Sequence, residues 1–118
     1  MSQHKDAVEA YFQGFRLSDH EAILGLLTDE VVWDLPGHRH LQGKVAFDGE
    51  IENPAFEGSP VLAIDRLIEE GDTVVAVGTG TGRHKQAGPF EFAYCDVFTF
   101  EGDLIARVES YVVPLNAG

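Results

Sequence analysis

Hydrophobic and polar positions alternate along this chain with two different periods. In the first part, Val8, Tyr11, Phe12 and Phe15 recur at the spacing that gives a helix one apolar face. The capping box S-x-x-E at residues 18–21 predicts the start of a second, shorter helix. The segment "VVWDL" then has the character of a strand, and a Pro-Gly turn ends it.

The rest of the chain is mostly strand-like. The loop "HRHLQG" leads into a third, short helix around Phe47 and Ile51, which Asn-Pro at residues 53–54 ends. Four strand segments follow, with hairpin turns at residues 71–72 and 101–103. The order α-α-β-α-β-β-β-β predicts the α+β class, with helices on one face of an antiparallel sheet.

The strand segment "FEFAYCDVFTF" has one face that is almost wholly aromatic and therefore predicted to be buried. Asp96 lies in the middle of this face, and it could reach solvent only if the whole strand changed register. Burial disfavours the charged form of a carboxyl, so we expect a raised pKa. The residues of this face are Phe90, Phe92, Tyr94, Asp96, Phe98 and Phe100.

Asp34, within "VVWDLPG", is a second acid in an apolar setting, and Tyr11 puts one hydroxyl on the apolar face of the first helix. Two carboxyls whose environments separate their pKa values can divide the work of acid and base. Structural roles remain open for each. Asp34 could cap the following turn, Asp96 could pair with Arg107 or Arg83, and Tyr11 could belong to the core.

Composition narrows the classes of partner. The 118 residues, 44% of them hydrophobic, are predicted to form one globular domain, residues 1–118. The net charge of -12 and the lack of a basic patch disfavour a nucleic-acid partner. The single cysteine, Cys95, allows no internal disulfide, and no signal peptide or membrane-length apolar run is visible, so we expect a cytoplasmic protein without membrane contact.

Residues 6–114, with "VEAYFQGFRLSDHEAILGLLTDEVVWDLPG" and "DVFTFEGDLIARVESYVV", resemble the nuclear transport factor 2-like superfamily, nearest to its SnoaL-like and ketosteroid isomerase-like branch. The resemblance implies a cystatin-like cone, in which a curved antiparallel sheet wraps around three helices and an interior pocket. It also implies a homodimer. Apolar residues at alternate strand positions suggest the outward face of the sheet as the dimer surface.

The resemblance also implies three catalytic residues. Tyr11 matches a tyrosine on the first helix, Asp34 an aspartate before a Pro-Gly turn, and Asp96 an aspartate on a late strand. The match requires a one-residue deletion near "TDEVVW". In the implied cofactor-free reaction, Asp34 moves a proton next to a carbonyl, while Tyr11 and neutral Asp96 donate hydrogen bonds to the enolate oxygen.

The implied pocket suits a flat, neutral, apolar small molecule. Arg39, in the loop after Asp34, could pair with that acid and reduce its basicity, and no residue spacing matches a metal motif. We expect the pocket to be lined by Phe15, Val32, His38, Phe92, Tyr94 and Phe98, with His38 at its mouth.

Other members of the superfamily leave the activity open, because one fold supports several reactions. A polyketide cyclase-like enzyme could use Asp34 or Asp96 as its base, and a non-catalytic binder of an apolar molecule needs neither. Epoxide hydrolases of the superfamily use an Asp-Arg-Asp set, for which the third strand offers no equivalent.

The segment "GTGTG" lies within a strand pattern and is not a dinucleotide-binding loop. Its alternate glycines, Gly78, Gly80 and Gly82, leave one face of the strand without side chains. This permits a sharp bend of the sheet or the close approach of a helix or a ligand.

Overall fold

The computed structural model describes residues 3–51 and 61–115, which form three helices and six strands. The predicted α+β class, with a curved sheet around three helices, is confirmed. The predicted end of the third helix at residues 53–54 lies outside the described residues. The elements are α1 (Gln3–Leu17), α2 (His20–Leu24), β1 (Leu27–Leu35), β2 (Arg39–Gln42), α3 (Lys44–Ile51), β3 (Val61–Glu70), β4 (Thr73–His84), β5 (Gly88–Glu101) and β6 (Leu104–Pro114).

The six strands form one open sheet in the order β2-β1-β6-β5-β4-β3. Every neighbouring pair is antiparallel except β1 and β6, which run parallel. An antiparallel sheet was predicted, and this one pair departs from that prediction. The predicted hairpins join β3 to β4 and β5 to β6. Gly71 and Gly102 occupy these turns with φ of 59° and 63°, a conformation that costs glycine little.

Two local predictions are wrong. The "HRHLQG" segment is not a loop, because Arg39–Gln42 forms β2 and pairs with β1 as a short hairpin. The second helix is capped by Asp19 rather than Ser18, and the Asp19 side chain accepts a hydrogen bond from the Ala22 amide at 3.1 Å. Ser18 is unsuited to the cap because its φ of 52° belongs to the turn that ends α1.

The helices cover one face of the sheet, called the inner face below, and their aromatic side chains form the core with it. Tyr11 on α1 packs edge-on against Phe98 of β5, with ring centroids 5.0 Å apart. Phe47 on α3 stacks on Trp33 of β1 at 4.5 Å. This arrangement fixes which strand residues point towards the helices and which point to the opposite, outer face.

Candidate functional site

The centre of the candidate site is the carboxyl group of Asp96, on the inner face of β5. Phe98 and Tyr94, its neighbours on that face, are buried, and Asp96 itself is only 8% exposed. Burial raises the pKa of Asp96 to about 7, although a hydrogen bond from Ser110 opposes the shift. The carboxyl therefore exists in both protonation states near neutral pH.

A chain of hydrogen bonds holds this carboxyl from β1 and β6. Asp96 and Ser110 are aligned across the β5–β6 pair, and the Ser110 hydroxyl bonds the carboxylate. The indole N–H of Trp33 donates to Oγ of Ser110 at 3.0 Å. Because Oγ accepts from the indole, the hydroxyl hydrogen of Ser110 is free to be donated to Asp96.

Tyr11 contributes a second polar group to the same region. Its side chain is 2% exposed, and burial, with the charge of Asp96 adding to it, raises the pKa of the phenol well above its ordinary value. The hydroxyl is therefore neutral and can donate a hydrogen bond.

Both polar groups line a cavity of about 150 Å³ between the helices and the inner face, referred to below as the cavity. Six of its eleven lining residues are aromatic, and the walls are otherwise mostly aliphatic. The cavity is lined by Tyr11, Phe12, Phe15, Trp33, Leu35, Leu62, Phe92, Tyr94, Asp96, Ser110 and Val112.

The prediction that Asp34 shares this cavity is wrong. On β1, Val31 and Trp33 are buried against the core, so Asp34, on the alternate position, points to the outer face. There its carboxylate pairs with Arg107, with 3.0 Å between Oδ2 and the guanidinium nitrogen, and His40 lies 3.8 Å away. The Asp34 side chain is 27% exposed.

The arginines that the sequence offered as partners for Asp96 and Asp34 can now be placed. Arg107 lies beside Asp34 and Glu109, so it does not pair with Asp96, and Arg83 is aligned with Pro89 near the start of β5. Arg39 pairs with Glu50 on α3 instead of with Asp34.

Three of the six predicted pocket residues line the cavity, namely Phe15, Phe92 and Tyr94. Phe98 is fully buried in the core against Tyr11 and Phe12 and does not reach the cavity. Val32 shares the outward orientation of Asp34, and His38 is exposed in the turn after β1. These three predictions are therefore wrong.

Sequence reasoning missed Trp33 and Ser110, which hold the carboxyl of Asp96. Strand alternation in "VVWDL" shows that Trp33 and Asp34 lie on opposite faces, but it does not show which of the two faces inward. Nothing in the sequence signalled Ser110, because its role depends on the register of β5 with β6.

Other parts of the described chain offer weaker chemistry. No group of three or more potential metal ligands occurs among residues 3–51 and 61–115. None of the helices in this part of the chain has the length and apolar character of a membrane span. An open groove of about 780 Å³ lies between α1 and β3, but it is lined by side chains of both charges, among them Lys5, Glu9, Arg16 and Asp65. Such mixed charge does not favour one class of ligand.

The comparisons with known proteins agree with the fold described above. The SnoaL-like domain family matches residues 8–108, which is most of the chain, and the predicted resemblance is confirmed. No curated protein matches the chain.

Three solved structures illustrate the similarity of fold. A nuclear transport factor 2-like protein of unknown function from Burkholderia pseudomallei has a TM-score of 0.83 at 22% identity, covering 93% of this chain and 90% of its own. A Mycobacterium tuberculosis epoxide hydrolase has a TM-score of 0.82 at 18% identity, and the match covers 94% of this chain and 83% of the hydrolase. A protein with a ketosteroid isomerase-like fold from Catenulispora acidiphila, in complex with trimethylamine, has a TM-score of 0.81 at 16% identity, covering 89% and 83%. At these identities, the comparison shows a shared fold only.

Proposed function

We propose that this chain, which belongs to the SnoaL-like domain family, binds a small, mainly apolar molecule in the cavity and exchanges a proton with it through Asp96. The observation that carries this proposal is a buried carboxyl, with a pKa raised to about 7, at the wall of an aromatic cavity. Groups tuned in this way cluster at functional sites more often than elsewhere.

The reaction class follows from the two polar groups. Ionised Asp96 removes a proton from the carbon next to a ligand carbonyl, and the resulting acid returns it at another carbon of the enolate. The neutral Tyr11 hydroxyl donates a hydrogen bond to the oxygen on which negative charge develops. One carboxyl thus does the proton transfer that the resemblance assigned to Asp34, and no cofactor is needed.

The size and lining of the cavity limit the ligand. Apolar cavities of about this volume accommodate benzene, so a molecule with one ring is a better match than a steroid or a polycyclic polyketide. Aromatic walls favour a flat, unsaturated ring, because such rings stack in offset or edge-on arrangements. We therefore favour a small cyclic ketone over the larger substrates of cyclases.

A second candidate is binding without turnover. It is favoured by the position of Asp34, because the cavity then has a single carboxyl instead of the pair that acid-base enzymes often use. Epoxide hydrolysis is less favoured. The acidic residues that flank an arginine in this chain, Asp34 and Glu109 around Arg107, lie on the outer face.

The homodimer stays a prediction, and the outer face of the sheet is the surface we favour for it. Some neighbouring outward positions on β4, β5 and β6 are apolar or aromatic, as with Val77, Cys95 and Tyr111, which are aligned across three strands. Light scattering coupled to gel filtration would give the mass in solution, and a monomer at all concentrations would contradict this prediction.

The activity is tested with cyclohex-3-enone, whose isomerisation to the conjugated enone raises the ultraviolet absorbance. We expect wild-type turnover and a loss of about 100-fold or more in Asp96→Asn. Asp34→Asn is the matched control and should keep its activity, because its side chain lies on the outer face. Equal turnover in wild type and Asp96→Asn would refute the proposed role of Asp96. Saturable binding of the ketone without turnover would favour the second candidate.

A further inference from the structure

The glycines of "GTGTG" are not bare in the folded chain. Gly78, Gly80 and Gly82 on β4 are aligned with Tyr94, Phe92 and Phe90 on β5, respectively. The end of each ring lies where a side chain on the opposite glycine would begin. A Cβ on Gly80 would lie 2.4 Å from Cζ of Phe92, and one on Gly82 would lie 2.7 Å from Cζ of Phe90. Both distances are far shorter than van der Waals contact.

Only some of these rings border the cavity. Phe92 and Tyr94 line it, whereas Phe90 does not. Gly78 is constrained in a second way, because a Cβ there would lie 2.0 Å from the backbone oxygen of Ala63. Gly80 differs from both of its neighbours, because its main obstacle is one ring, and that ring is a wall of the cavity.

The neighbours of Phe92 on β4 and β5 restrict where its ring can move. Along β5, Phe90 lies on one side with ring centroids 5.8 Å apart, and Tyr94 lies on the other at 6.4 Å. Gly80 lies behind the ring. One open side of the ring borders the cavity, and a ring displaced from Gly80 towards that side would enter the space that a ligand would occupy.

We infer that Gly80 is a positioning residue that sets the size of ligand the cavity admits, by letting the Phe92 ring lie against the backbone of β4. The inference rests on the proposed function only in taking the cavity as a binding site. The mainly aromatic and aliphatic lining of the cavity supports that premise independently of any reaction.

The test compares two alanine variants with a ligand series that has no acidic proton. Gly80→Ala and Gly82→Ala create the same kind of clash, but only the first displaces a ring of the cavity wall. Binding of benzene, toluene, ethylbenzene and propylbenzene is followed by calorimetry. In Gly80→Ala we expect the largest alkylbenzene that the wild type accepts to bind about tenfold more weakly. In Gly82→Ala the series should match that of the wild type.

Two further variants keep the inference testable if Gly80→Ala does not fold. Phe92→Leu should admit the next larger alkylbenzene, whereas Phe90→Leu should leave the series unchanged. The double variant Gly80→Ala/Phe92→Leu should recover the ligands that Gly80→Ala loses, which a general loss of stability would not allow. A crystal structure of Gly80→Ala should show the Phe92 ring displaced into the cavity.

The possible failures are distinguishable. Suppose that the wild type binds the alkylbenzenes and that neither Phe92→Leu nor Gly80→Ala changes their affinities. The inference is then wrong, and the proposed function stands. If no alkylbenzene binds the wild type or Phe92→Leu, the cavity is not a binding site, and both fail. If the series behaves as expected but Asp96→Asn keeps its turnover, only the proposed reaction fails.

Discussion

The two faces of the sheet give an aspartate different solvent exposure and different partners. On the inner face, Asp96 is 8% exposed and has the neutral hydroxyl of Ser110 as its partner. On the outer face, the side chain of Asp34 is 27% exposed and pairs with the guanidinium of Arg107. Both residues belong to strands with apolar neighbours.

The difference between the faces is one of solvation and counter-charge. An ionised Asp96 has lost most of its hydration and has one hydroxyl in exchange, so the proton binds it more tightly. Asp34 keeps part of its hydration and has a fixed positive charge at 3.0 Å. The inner face therefore favours a carboxyl that exchanges protons, whereas the outer face favours one that stays in an ion pair.

The largest expected effect is on the pH dependence of the free energy of unfolding, compared between Asp96→Asn and the wild type. The folded protein holds the Asp96 proton up to a pH of about 7, whereas the unfolded chain releases it near the ordinary value of 3.8. The wild type therefore loses stability as the pH rises between these values, and the asparagine variant does not. From pH 5 to pH 8.5, the variant should gain about 3 kcal/mol relative to the wild type.

Urea unfolding of both proteins in the same buffers measures this gain, because every other titrating group cancels in the difference. The sign matters as much as the size. The free energy of unfolding of the variant minus that of the wild type should rise with pH and level off above about pH 7. Curves that stay parallel across this range would mean that Asp96 is not a buried, proton-holding carboxyl.

A smaller effect is expected when the partner of Asp96 is removed. Ser110→Ala takes away the hydrogen bond to the carboxylate and leaves the indole N–H of Trp33 without its acceptor. We expect a loss of about 1 to 2 kcal/mol in the free energy of unfolding. The midpoint of the Asp96 titration should also move to higher pH, because the lost bond favoured the charged form.

Carbon-13 NMR of the Asp96 carboxyl follows that midpoint directly. Ser110→Thr, which keeps the hydroxyl, is the matched control and should titrate close to the wild type. If Ser110→Ala lowers the midpoint or leaves it unchanged, the hydroxyl does not stabilise the carboxylate, and the hydrogen-bond chain from Trp33 has no electrostatic role.

The sequence predicted the inner face well where its pattern was unambiguous. Five aromatic positions alternate with mostly polar or small ones along β5, and Asp96 holds the sixth position of the aromatic face, so its burial followed from the period alone. The run "VVW" in β1 is apolar at every position, so the alternation of apolar and polar residues does not show which face of β1 is the inner one. Asp34 was placed by its resemblance to a motif, and an error of one position exchanges the two faces.

The contacts that complete the site could not be read from the sequence. Trp33 and Ser110 are 77 residues apart and meet because β1 pairs with β6 in parallel, which no turn signal indicates. The same pairing brings Arg107 next to Asp34 on the outer face. Long-range strand order thus decides which polar groups meet, although local patterns decide most of the helices and strands.

The smallest expected effect is on the outer face, in a double-mutant cycle of Asp34→Asn and Arg107→Gln. Ion pairs this exposed contribute less than about 1 kcal/mol, because solvent screens the charges and both side chains lose rotamer freedom. The coupling energy, measured by urea unfolding, should decrease further at high salt. Ligand binding and turnover should stay at wild-type values in both single variants, since neither side chain lines the cavity. A coupling of several kcal/mol, or an activity lost with Asp34→Asn, would show that the two faces are not as independent as their geometry indicates.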